Sequence, residues 1–173
     1  MTKGFRSFAA AATIAVSSLA VAPAMAGPAE MDLLSGYVGN WKGNGVMVGG
    51  QQPEPFRCRM QVQKGNQAKV NFAGRCTLVN FNLSVSGTIA FNDKSRRYEA
   101  AMSSNAGFSG VAAGRISGDT ITFDLAEKQI DKGGNDMRIG SKVSLVADTI
   151  NIDFEIEFNN FGNVLTAKVP FQR

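Results

Sequence analysis

From Gly39 onward, apolar side chains recur at every second position, and Gly, Asn or Asp breaks the pattern at short intervals. Successive strand residues point to opposite faces, so this pattern demands half-buried strands with one face hidden from water. Between 55 and 63 the even positions are Phe56, Cys58, Met60 and Val62, while Arg57, Arg59, Gln61 and Gln63 take the odd ones. Val70, Phe72, Gly74, Cys76 and Leu78 continue the even set, and Phe81, Leu83, Val85, Ile89 and Phe91 form an odd one. The cleanest run lies near the end, where Ile150, Ile152, Phe154, Ile156 and Phe158 alternate with Asn151, Asp153, Glu155 and Glu157.

About ten strands are predicted, over 39–48, 55–64, 69–78, 81–91, 96–103, 108–116, 120–127, 137–146, 150–158 and 164–171. Connections such as Asn92-Asp93-Lys94-Ser95 and Ala147-Asp148 are too short for a parallel crossover, so neighbours must be antiparallel. One short amphipathic stretch, Pro28 to Ser35, reads as helix and ends at Gly36. A meander with one apolar face buries it as a closed barrel or a two-sheet sandwich. Closure removes exposed edges, and a Greek key needs long crossings that this chain lacks. The expected fold is therefore all-β, an antiparallel up-and-down closed barrel of about ten strands behind a short N-terminal helical turn.

Residues 1–26 read as a cleaved secretory signal: Lys3 and Arg6, an apolar run from Phe8 to Val21, then the A-x-A site Ala24-Met25-Ala26. This leaves 27–173 as a single barrel domain in the periplasm or outside the cell. The apolar run is short and interrupted by Ser17, Ser18 and Pro23, which argues against a membrane anchor. A transmembrane barrel is disfavoured too, because Trp and Tyr total only three, too few for two aromatic girdles.

The even cysteine count of an exported chain favours a disulfide between Cys58 and Cys76. Placing the two directly opposite sets Lys64 against Val70 and leaves a five-residue loop, Gly65 to Lys69. One hairpin then satisfies both the pairing and the apolar parity. A redox role needs closely spaced thiols, so the bridge is read as structural.

The first strand opens Gly39-Asn40-Trp41-Lys42-Gly43-Asn44-Gly45. A G-x-W after a short helical turn resembles the calycin arrangement of lipocalins and their relatives, where the Trp closes one barrel end. Trp41 is accordingly expected to be a barrel-end plug. The longer G-x-W-x-G-x-G pattern is similar to the opening of nitrobindin-type haem barrels. That family holds haem through a histidine, and this chain has none. The spacing of Tyr37, Tyr98 and the methionines suggests no substitute ligand, so no cofactor is expected.

Met60, Phe72, Phe81, Met102, Phe123, Phe154 and Phe171 share the inward parity and are the candidate lining of a pocket for a small apolar, lipid-like molecule. The alternative is a packed core without ligand, in an envelope module that binds a protein partner. On the outward parity, Arg59 falls opposite Arg75 with Arg57 nearby, a candidate anion or partner patch or else a solvated face.

The absence of histidine excludes Ser-His-Asp and Cys-His catalysis, and the interior parity offers almost no carboxylate, so no enzyme is expected. No metal is expected either. The loop Asp131 to Asp136 lacks the spaced carboxylates of a calcium site and reads as a hairpin turn. Removing the leader leaves sixteen Lys and Arg against fourteen acids, too little excess for nucleic-acid binding.

Overall fold

The computed structural model describes residues 28–66, 68–79, 81–130, 133–158 and 162–173. The expected leader at 1–26 lies outside the described residues. A short helix, α1 (Pro28–Ser35), precedes ten strands: β1 (Gly39–Val48), β2 (Glu54–Lys64), β3 (Lys69–Thr77), β4 (Asn82–Asn92), β5 (Arg97–Ser104), β6 (Ser109–Ser117), β7 (Thr120–Ile130), β8 (Asp136–Val146), β9 (Thr149–Phe158) and β10 (Asn163–Gln172). Each strand pairs antiparallel with the next, and β1 pairs with β10 to close the barrel. The closing ladder omits residues 44–46 opposite 168–170. Pro170 has no N–H to donate at this seam.

Most strand limits fall within a residue of the predicted ones. The largest difference is β7, which runs on to Ile130 because Gln129 pairs with Met137 and Ile130 with Asp136. Asp136 therefore belongs to β8 rather than to the expected turn, and Asp131 and Lys132 lie outside the described residues.

Burial follows the parity. In β2, Phe56, Cys58, Met60 and Val62 are buried while Arg57, Arg59, Gln61 and Gln63 face out. In β9, Ile152 and Phe154 line the interior and Glu155 is exposed. The outer faces of β2 and β9 are thus polar and charged, the reverse of the apolar band that a membrane-spanning barrel turns to lipid. No helix among the described residues is long and apolar enough to cross a membrane.

The two ends differ. Under α1, Leu34, Tyr37, Trp41, Val62, Val70, Ile89, Tyr98, Ile121, Leu145, Ile150 and Phe171 are all buried. At the opposite end, Met47, Leu78, Leu83, Val85, Met102 and Phe154 are only half-buried. The barrel is plugged at one end and loosely packed at the other.

Candidate functional site

The plug joins the segment between α1 and β1 to Arg173, the residue that follows β10. Trp41 is 1% exposed. Its Nε1–H donates to the Tyr37 carbonyl at 2.9 Å, and the Tyr37 ring lies 6.3 Å away, stacked at an interplanar angle of 29°. The Arg173 guanidinium sits 4.8 Å above the indole and donates to the Gly36 carbonyl. On the other side of α1, the Tyr98 hydroxyl donates to the Glu30 carbonyl at 3.2 Å.

Burial raises the pKa of both tyrosines above the ordinary 10.0, with nearby Asp148 and Asp119 adding to the effect at Tyr37 and Glu30 at Tyr98. An acid whose folded pKa is raised stabilises the fold fully below its unfolded pKa, and that contribution is lost as pH rises through the folded one. Stability should therefore fall above pH 10.0. Denaturation of Tyr98→Phe across this range should show a weaker alkaline loss than wild type. An unchanged slope would remove Tyr98 from this account.

Behind the plug lies the lumen. It holds a cavity of about 180 Å³ whose lining includes Met60, Phe72, Met102, Phe123, Phe154 and Phe171. Phe81 departs from expectation. It precedes the first residue of β4, its backbone closes a turn by accepting from Leu78 N–H, and its side chain is 46% exposed at the rim. Parity alone could not see that the barrel wall ends before it.

The cavity exists because large rings lie along the wall rather than across it. Phe56, Phe72 and Phe123 stand opposite Gly45, Gly87 and Gly114 on neighbouring strands. A Cβ built on Gly114 would lie 2.7 Å from the Phe123 ring, so the glycine is the space that the ring occupies. Small inward residues, Gly74, Ala100, Ala112, Ser141 and Ala167, leave the centre unfilled. Sequence reading singled out the large side chains and passed over the small ones, although the same parity marks them. Apart from the aromatic plug residues Tyr37, Trp41 and Tyr98, Ser141, 8% exposed, is the one side chain with a polar atom buried to this degree among the described residues.

The Cys58–Cys76 disulfide forms in the expected register and lines this wall. It is compatible with an oxidising compartment. Closing a loop of this length stabilises by roughly 3 kcal/mol in the chain-entropy view.

On the exterior, Arg59 stands opposite Arg75 as expected, and Lys42 stands opposite Arg59. Arg57 is exposed two residues further along β2. The part played by Lys42 was not read from the sequence, because it depends on the register set by the β1–β2 loop.

The nitrobindin-type resemblance raises haem, and the residues do not fit it. There is no histidine, Tyr37 and Tyr98 are committed to the plug, and the void is far smaller than a porphyrin.

No family model and no curated protein matches the chain. Among solved structures it is similar to Rv2717c from M. tuberculosis, with a TM-score of 0.60 at 15% identity, covering 85% of this chain and 99% of that one. It is also similar to the S-type phycobiliprotein lyase CPES from Guillardia theta, with a TM-score of 0.54 at 12% identity, covering 82% and 89%. These likenesses agree with the topology: by fold, the protein is a closed, ten-stranded antiparallel barrel.

Proposed function

We propose that the protein is a non-catalytic binding protein that takes a compact apolar molecule into the barrel lumen through the end opposite Trp41. The supporting observation is the cavity of about 180 Å³ walled almost wholly by carbon and sulfur side chains. An apolar void of roughly 150 Å³ stays dry and binds benzene, whereas sites for drug-sized ligands span about 300–1,000 Å³. The size therefore favours a molecule of one or two rings over a complete fatty acid. Ser141 offers one hydrogen bond to a ligand that carries a single polar atom.

Burying roughly 200 Å² of ligand carbon at about 25 cal/mol per Å² yields ~5 kcal/mol, a sub-millimolar Kd at best. Calorimetric titration with a series from benzene to naphthalene and its monohydroxy derivative should show saturable binding with a negative heat-capacity change. Gly74→Leu should abolish it while the protein stays folded. Gly74 faces the void, and a Cβ there meets nothing closer than 3.6 Å. Equal binding by wild type and Gly74→Leu would refute the lumen as the site.

A further inference from the structure

The charge of the barrel is segregated along the chain. Between Gly39 and Asn92, the span of β1 to β4, there are six Lys and Arg residues and one acid, Glu54. From Asp93 onward there are ten cations and eleven acids. The registers differ in the same way. In the second half Arg138 faces Glu157 and Lys168 faces Asp153, at 3.3 and 3.7 Å. In the first half Lys42 faces Arg59, which faces Arg75, and no salt bridge joins any of the three to a described residue. Like charges held directly opposite oppose folding. The groove over this row is completed by neutral hydrogen-bonding groups such as Ser84, Ser86 and Ser103.

Along the same outer wall, toward the mouth, an adjoining groove brings Arg57 together with Val46, Val48, Pro55 and Val79. Val79 is 72% exposed, and Phe81 is exposed close by in the chain. The Glu54 carboxylate is engaged there by the Val79 N–H at 2.6 Å. Exposed carbon thus sits at the rim of the open end, with a band of cations below it that form no salt bridge to a described residue.

We infer that this face docks the mouth of the barrel onto an anionic phospholipid bilayer. Val46, Val48, Val79 and Phe81 enter the headgroup boundary, and Arg57, Arg59, Arg75 and Lys42 pair with lipid phosphates. Arginine forks suit phosphate oxygens, and the arrangement matches the apolar edge and basic flank of interfacial membrane binders. A free anion would account for the cations but not for the carbon above them. The inference does not depend on what fills the lumen.

The test uses the 27–173 chain, with Cys58–Cys76 oxidised, and co-sedimentation with vesicles. Phosphatidylcholine vesicles containing phosphatidylglycerol should retain the protein, pure phosphatidylcholine should not, and added salt should release it. Each cation near such a surface is worth about five-fold in partitioning, so Arg59→Glu/Arg75→Glu should bind at least ~25-fold more weakly. Val79→Ser/Phe81→Ser should weaken binding as well. All these side chains are exposed, so both variants should melt as wild type does.

Three results would overturn the inference: no preference for anionic vesicles, equal partitioning of the double charge variant, or release by inorganic phosphate at constant ionic strength. A wild-type dimer in sedimentation equilibrium that Arg59→Glu/Arg75→Glu dissociates would also overturn it, assigning the face to the acidic wall of a second copy.

Discussion

Trp41→Ala is expected to lower the free energy of unfolding by about 3–5 kcal/mol, the range for removing a buried aromatic side chain. In a domain of this size that corresponds to a melting midpoint roughly 10 °C lower. Three groups lose their partner together: the Tyr37 carbonyl that accepts from the indole, the Tyr37 ring beside it, and the Arg173 guanidinium above it. Trp41→Phe keeps most of the volume and loses the hydrogen bond, so its effect should be smaller, about 1–2 kcal/mol. Urea denaturation of the two variants separates the contributions. A loss below about 1 kcal/mol for Trp41→Ala would mean that the end closes without its plug.

The second large effect concerns a single carbon atom. Gly87→Ala places a Cβ against the Ala101 carbonyl oxygen and the ring of Phe72, whose Cε1 would lie 2.7 Å away. The oxygen belongs to the neighbouring strand, where Ala101 pairs with Thr88, so it cannot retreat without disturbing the ladder. Overpacking usually costs about 1–3 kcal/mol and more where backbone must shift, so a loss of about 3 kcal/mol or greater is expected. Gly74→Ala is the control. A Cβ there meets the Arg59 carbonyl at 3.6 Å and Met60 at 3.7 Å, ordinary contacts. Replacing a strand glycine without strain should be neutral or stabilise by up to ~1 kcal/mol. Similar values for the two alanine variants, measured by chemical denaturation, would contradict the idea that rings occupy the glycine positions.

The contrast between these glycines shows what was and was not legible in the sequence. Alternation fixes which face each residue takes, and the pairing of Cys58 with Cys76 fixes one register outright. Those two facts lead to the barrel and to Arg59 opposite Arg75, whereas Trp41 at the barrel end was what the G-x-W resemblance implied. Gly74 and Gly87 share the inward parity and look alike in the sequence. Only the three-dimensional register shows that Phe72 fills the place beside one while the other faces open space. The same limit applies to Phe81, whose parity is right but which lies beyond the end of the wall. Lumen volume is a small difference between large filled volumes, and periodicity carries no information about it. The outer cation row was half visible, because Lys42 joins it through the register of a loop whose turn chemistry is not distinctive.

Xenon most directly tests whether the tube is hollow and dry. Crystals of wild-type protein held under xenon should show electron-dense atoms within the cavity between Met102, Phe123 and Phe154, while Gly74→Leu crystals should show none. Ordered water at that place, or side chains closed over it with no xenon, would contradict the account.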